Sequence, residues 1–282
     1  MGTRFSDGSM PGIIAFVLHS SLGVVIGTIL GFLGGGGAIL TVPALVYIVG
    51  LPLQAATTTS LIIVGTTSAA GVLLHRAQGT VNWRIAILFG GAGMVAAYWG
   101  ASFSKALPPA LRMVMFAVLM ILIGGLMLRR RPMAHPEPGV GILTGAVLKS
   151  APPPPDSPLD VRVVLGSGMG VGLLTGLLGV GGGFLIVPTL VMILHLPMNY
   201  AVSTSMMIIT MNSLAGFLGQ LNNVAIDLHI VGVFAVAGIV GAVFGAKLGQ
   251  HTDPERLRAL FALFVTGLGL VLFVGNIGAL LR

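Results

Sequence analysis

Long apolar stretches dominate the chain and constrain its fold more than any other feature. Ten can be marked in the 282 residues, at about 12–33, 38–50, 54–74, 85–104, 110–128, 162–178, 183–195, 199–219, 229–247 and 257–280. A helix needs about 20 mostly apolar residues to cross a bilayer. Only 7% of the residues are charged, whereas soluble domains carry about 25%. The pattern therefore predicts an all-α polytopic membrane protein with its helices in the bilayer.

The second half of the chain repeats the first. Residues 31–43 align with residues 176–188 without gaps, at an offset of 145. Between 31–60 and 176–205, 16 of 30 positions are identical. We therefore predict two homologous repeats of about five segments each, at 1–128 and 161–282, joined by a polar, Pro-rich linker at 129–160. Internal duplication of membrane bundles is typical of secondary transporters.

The short segments 38–50 and 183–195 leave two topologies open, with eight or ten crossings. If they are re-entrant, the repeats are parallel and both termini lie inside. If they cross the bilayer, the repeats are inverted and both termini lie outside. Ten crossings place 10 of the 14 Lys and Arg residues inside, and eight crossings place 9 there. Because cytoplasmic loops are enriched in Lys and Arg, the count slightly favours the inverted arrangement.

Glycine clusters interrupt the apolar segments at equivalent places in both repeats. Consecutive glycines destabilise a helix interior, and broken backbone at membrane depth needs protein, water or ligand to satisfy its polar groups. The helix that follows each break presents free N–H groups, which suit an anion. Close helix packing through small residues is the alternative explanation. The predicted substrate-binding glycines are Gly34, Gly35, Gly36, Gly37, Gly181, Gly182 and Gly183.

Hydroxyl and amide side chains follow each glycine cluster. The predicted substrate-binding residues of this kind are Thr59, Ser60, Thr204, Ser205 and Asn212, which we expect to line one shared midplane site together with the two glycine breaks. Each Ser and Thr carries one O–H that can donate to a substrate oxygen. Helix capping is an alternative role for the hydroxyls. Asn212 in the middle of a span needs a partner, which a neighbouring helix or the substrate could supply.

Ionisable residues suggest a site for an anion rather than a cation. All seven carboxylates fall in predicted termini, loops or helix ends, whereas cation sites favour carboxylate oxygens. We therefore predict no metal site. His19 lies well inside a predicted span and is a candidate for proton coupling, although a hydrogen bond to a neighbouring helix would also explain it. His75 and Arg76, at the end of the third segment, are candidates for gating or for attracting anions.

Catalytic and nucleic-acid-binding functions lack support in the sequence. There is no H-E-x-x-H, G-x-S-x-G or Walker A motif, and the chain contains no Cys. The 14 basic residues against 7 acidic ones are explained by membrane topology and lipid headgroups, since they lie between apolar spans. We expect no enzymatic activity, no cofactor and no nucleic-acid partner.

The paired glycine motifs carry a resemblance to a known family. Residues 31–43 and 176–188, each followed by Leu-Pro and Ala-x-x-Thr-Ser, resemble the sulfite exporter TauE/SafE family, as does Gly-x-Val-Asn-Trp at 79–83. The resemblance implies a bacterial inner-membrane permease for sulfur-containing anions such as sulfite, thiosulfate or organosulfonates, and we expect it to export them. The expected partners are this anion and the lipid bilayer, and a second copy of the chain, forming a homodimer, is a further candidate. A channel-like or structural membrane protein for another small anion is the alternative.

Overall fold

The computed structural model describes residues 12–76, 79–104, 109–129, 160–178, 183–220 and 227–280. Within these ranges it contains ten α-helices and no strand. They are α1 (Gly12–Leu33), α2 (Gly36–Tyr47), α3 (Leu53–Arg76), α4 (Trp83–Ser104), α5 (Pro109–Arg129), α6 (Val161–Leu178), α7 (Gly183–Met192), α8 (Met198–Gln220), α9 (Leu228–Gln250) and α10 (Pro254–Leu280). Each predicted apolar segment corresponds to one helix, which confirms the all-α prediction. Most of the linker at 129–160 lies outside the described residues.

Six helices in the described part of the chain are long and apolar enough to cross a membrane, namely α1, α3, α6, α8, α9 and α10. Their outer faces are also apolar. Along α9, for example, Val236, Val240 and Phe244 are 65%, 57% and 62% exposed. A stripe of this kind suits lipid better than water. The structure therefore describes a multi-pass membrane protein.

The turns that follow α2 and α7 have the same hydrogen bonds at the offset of 145. Leu51 N–H donates to the Leu45 carbonyl at 2.9 Å, and the equivalent Leu196 N–H donates to Leu190 at 3.0 Å. Gly50 and its equivalent His195 both have positive φ, at 80° and 53°. Left-handed backbone is unusual for a residue with a side chain. The shared turn geometry thus persists where the glycine does not.

Glycines bring helices of opposite halves into close contact. A Cβ on Gly27 of α1 would lie 2.8 Å from the Cα of Gly238 on α9. At the equivalent place, a Cβ on Gly172 of α6 would lie 2.7 Å from the Cα of Gly93 on α4. Small residues let membrane helices approach in this way. The pairs α1–α9 and α4–α6 are therefore equivalent seams, each made by one helix from either half.

Two further helix pairs cross between the halves in antiparallel directions. Leu61 of α3 packs on Gly216 of α8, while the equivalent Met206 of α8 packs on Gly71 of α3. From Leu61 to Gly71 the residue number rises along α3, while the number of the contacted residue on α8 falls from 216 to 206. The two helices are therefore antiparallel. Helices α5 and α10 do the same, with Gly124 against Ala262 and Thr266, and Gly269 against Ala117 and Ile121.

Candidate functional site

The chain breaks between α1 and α2 at the predicted glycines. Gly34 has φ of 74°, and Gly35 is the N-cap of α2 with no side-chain hydrogen bond to the helix start. Gly36 is the first residue of α2, and Gly37 lies against the carbonyl of Ile26. The first N–H groups of α2 therefore carry partial positive charge with no side-chain cap.

The start of α7 meets this break. A Cβ on Gly183, the first residue of α7, would lie 3.2 Å from the carbonyl oxygen of Gly35 and 3.3 Å from the Cβ of Ala38. Ala38 and Gly183 occupy equivalent positions in the two halves. The N-terminal ends of α2 and α7 therefore adjoin at the centre of the molecule. Gly181 and Gly182 lie outside the described residues.

Hydroxyls of α8 surround the same break. Ser205 Oγ donates to the carbonyl of Gly34 at 2.7 Å and also lies 2.7 Å from the carbonyl of Val202. Ser205 and Thr204 are fully buried. The structure thus brings the predicted Gly34, Gly35, Gly183 and Ser205 together, although Ser205 is 171 residues from Gly34 in sequence.

The turn before α4 supplies two contacts that the site prediction missed. Thr80 Oγ1 is 2.9 Å from Ser203 Oγ, and Asn82 N–H donates to Thr204 Oγ1 at 3.1 Å. The Asn82 side chain also accepts from Ile85 N–H at 3.1 Å. The signal for this turn was present, since it is the Gly-x-Val-Asn-Trp element at 79–83. Its position against α8 comes only from the fold.

The hydroxyls of Thr59 and Ser60 on α3 lie apart from those of Thr204 and Ser205 on α8, so the four residues do not form a single group. Ser60 precedes Leu61, and Ser205 precedes Met206, which packs on Gly71. Leu61 and Gly71 are about 15 Å apart along α3 at 1.5 Å per residue. Thr59 and Ser60 are buried, and Ser60 Oγ donates to the Thr57 carbonyl at 2.8 Å. The clusters therefore lie on either side of the α3–α8 crossing.

The remaining predicted residues lie in different places. Asn212 lies two turns beyond Ser205 on α8 and lines a cavity next to α4, α6 and α7. His19 stacks on Phe234 with ring centroids 5.6 Å apart, about 22 Å along α1 from Gly34. His75 and Arg76 end α3, but their side chains lie outside what the structure describes.

Negative charge is confined to helix starts in the described part of the chain. Asp160 and Asp227 directly precede α6 and α9, and Asp253 and Glu255 stand at the start of α10. Asp227 caps α9 by accepting from His229 N–H at 2.9 Å. No described carboxylate lies where the N-termini of α2 and α7 adjoin. That junction instead combines two helix N-termini with buried hydroxyls of α8, a set of groups that can hold an anion.

Known proteins resemble the chain over most of its length. A family model described as Sulfite exporter TauE/SafE matches residues 20–272. A "Probable membrane transporter protein" of Xylella fastidiosa (strain 9a5c) is 32% identical over 247 residues, covering 86% of this chain and 89% of that protein. The "Probable membrane transporter protein YunE" of Bacillus subtilis (strain 168) is 31% identical, covering 86% and 90%. No solved structure matches the chain. The chain therefore belongs to the sulfite exporter TauE/SafE family, and it is a membrane transporter.

Proposed function

We propose that this transporter is a secondary permease that exports small sulfur-containing anions, such as sulfite, thiosulfate or organosulfonates, across the bacterial inner membrane. The family description supports this substrate class. The observation that carries the proposal is the approach of α7 to α2 at Gly183 and Gly35. Both helix N-termini carry partial positive charge, and an anion bound beside them would be stabilised by both.

The proposed anion path contains two equivalent half-sites. The first combines Gly34, Gly35 and the α2 N-terminus with the α8 hydroxyls around Ser205. By the offset of 145, the second centres on Thr59 and Ser60 of α3. The first half-site thus uses the glycine break of one repeat and the hydroxyls of the other.

Ser205 and Ser60 donate their hydrogens to the carbonyls of Gly34 and Thr57. The proposed donors to the anion are therefore the hydroxyls of Thr204 and Thr59. Neutral donors suit transport because they bind an oxyanion weakly enough to release it.

The half-sites would face opposite sides of the membrane. Equivalent helices of inverted repeats run in opposite directions, and the antiparallel α3–α8 and α5–α10 pairs support such an arrangement with ten crossings. Rocking of the helix groups about the α3–α8 crossing would expose the half-sites alternately. Arg76 ends α3 close to the level of the Ser205 half-site, where a cation would attract anions to the inner opening.

Ligand-dependent thermal stability tests the proposed sites in purified protein. A ligand that binds only the folded state stabilises it by about 2.7 kcal/mol at 100 times its Kd. We expect sulfite or thiosulfate to raise the unfolding temperature of the wild type. The combined variant Thr59→Val and Thr204→Val should unfold at a somewhat lower temperature without ligand, because Asn82 N–H loses its acceptor on Thr204. It should also lose most of the rise with ligand, because it lacks a hydroxyl in each half-site.

A hydroxyl on the same helix provides the control. Thr66 is exposed and donates to the carbonyl of its own helix at Ile62, at 2.8 Å. The variant Thr66→Val should keep the full response to the anion. If the double variant responds as strongly as Thr66→Val, the hydroxyls do not bind the anion and the half-site proposal is wrong.

A further inference from the structure

A small cavity with a mostly apolar lining and two polar side chains lies beside α8, away from the proposed half-sites. Its volume is about 10 Å³, and Asn212 lines it together with Thr175 of α6, Phe89 of α4 and Ile186 of α7. Within the described part of the chain, Asn212 Oδ1 is buried and accepts no hydrogen bond. An unsatisfied buried acceptor destabilises the folded protein. A ligand in this cavity that donates a hydrogen bond to Asn212 Oδ1 would therefore be favoured.

The α1–α9 seam has less polar side chains at the positions equivalent to Thr175 and Asn212. Where α6 and α8 have Thr175 and Asn212, the positions 145 residues earlier hold Leu30 and Thr67. The neighbouring glycines are the same in both seams, since Gly93, Gly168 and Gly172 correspond to Gly238, Gly23 and Gly27. The substitutions thus make one seam more polar while keeping its backbone contacts. Within the part of the chain that the structure describes, Thr67 Oγ1 and Asn212 Oδ1 are both buried without a hydrogen-bond partner, but only Asn212 shares a cavity with a second polar side chain, that of Thr175.

Two acceptor oxygens line the cavity. Thr175 Oγ1 donates its hydrogen to the Gly172 carbonyl at 3.0 Å, which leaves its oxygen lone pairs as acceptors toward a ligand. Asn212 Oδ1 is the second acceptor. A water molecule has two O–H donors to match these two oxygens, and a cavity of about 10–15 Å³ is enough to hold one.

We propose that this cavity binds one resident water molecule, which bridges Asn212 of α8 to Thr175 of α6. A cavity of about 10 Å³ has room for one water molecule but not for a sulfur oxyanion. A hard cation would need about six oxygen ligands, whereas the two polar side chains of the lining offer two oxygens and no charge. The water couples α8 to the α4–α6 seam at the depth of the α3–α8 crossing, independently of which anion is transported.

X-ray radiolytic footprinting of the whole protein in detergent tests this proposal. The X-ray pulse turns bound water into hydroxyl radicals, which oxidise the nearest side chains, and mass spectrometry locates the products. Phe89 lines the cavity and is 1% exposed, while its equivalent Phe234 is 0% exposed. We expect at least about fivefold more oxidation of Phe89 than of Phe234, because Phe89 lines the cavity that holds the proposed water.

Two variants test whether the oxidation of Phe89 depends on the proposed water. Asn212→Leu removes one acceptor and fills the cavity, and Thr175→Val removes the other acceptor with little change in shape. Each should reduce Phe89 oxidation to the level of Phe234 in protein that elutes as a folded species. If Asn212→Leu does not fold, Thr175→Val alone decides. Equal oxidation of both rings in the wild type, or undiminished Phe89 oxidation in folded Thr175→Val, would overturn the proposal.

Discussion

At the scale of single residues, both the backbone angle and the close neighbours of Gly34 disfavour any side chain at this position. Its φ is 74°, and a Cβ there would lie 2.8 Å from the Cα of Val202. Left-handed backbone costs a non-glycine residue roughly 1–2 kcal/mol. Gly34→Ala should therefore lower the unfolding temperature through strain and through displacement of α8 together.

Gly50 isolates the first of these two effects. It has φ of 80°, but a Cβ at this position would meet no other atom within 4 Å. Gly50→Ala should cost only the backbone strain, about 1–2 kcal/mol. Differential scanning fluorimetry of both variants checks the comparison. Equal losses of stability would show that α8 does not pack on Gly34 as described.

The glycine break could be predicted from sequence, whereas its surroundings could not. Consecutive glycines at 34–37 disfavour helix whatever surrounds them, so a local rule locates the break. The hydrogen bond from Ser205 to Gly34 joins residues 171 positions apart. No local pattern specifies such a contact, because it depends on how α8 packs against α1 and α2.

At the scale of elements, the seams explain glycines that lie outside the break. Gly172 of α6 faces the backbone of Gly93 on α4, with 2.7 Å between a Cβ and the Gly93 Cα. Gly172→Ala should push the two helices apart and lower the unfolding temperature. On the same helix, a Cβ on Gly170 would meet nothing within 4 Å.

Gly170→Ala is therefore the matched control, and it should leave stability unchanged or raise it by up to about 1 kcal/mol, since Ala favours helix. Thermal unfolding in one detergent compares the two variants. A Gly172→Ala protein as stable as Gly170→Ala would mean that the α4–α6 seam is looser than the structure shows.

Helix positions followed from sequence, but helix pairing did not. Apolar runs are sufficient to locate helices in a chain of this kind, and they located all ten helices of the described residues. The α1–α9 and α4–α6 pairs join helices from different halves. The spacing of Gly23, Gly27 and Gly31 on α1 was the available signal, since small residues four apart mark a packing face. It identifies the face and leaves the partner helix undetermined.

At the scale of the whole molecule, the number of crossings determines where equivalent turns lie. Gly50 and His195 occupy equivalent exposed turns. With ten crossings and inverted repeats, the two turns face opposite sides of the membrane. With eight crossings, they face the same side. The 14 basic residues barely separated these alternatives because both place most of them inside.

Cysteine labelling distinguishes the topologies, and the native chain has no Cys to interfere. We expect Gly50→Cys in intact cells to react with a membrane-impermeant maleimide. His195→Cys should react only after the cells are opened. Labelling of both variants in intact cells would contradict the inverted arrangement and the opposite orientation of the half-sites.

Anion flux through the purified protein tests the central claim most directly. The measurement is uptake of radiolabelled sulfite and thiosulfate into proteoliposomes, compared with empty liposomes and with the combined variant Thr59→Val and Thr204→Val. We predict saturable wild-type flux of at least one anion, and its loss in the folded variant because each half-site lacks a hydroxyl. Folded wild-type protein that transports neither anion, or a variant with undiminished flux, would contradict the account.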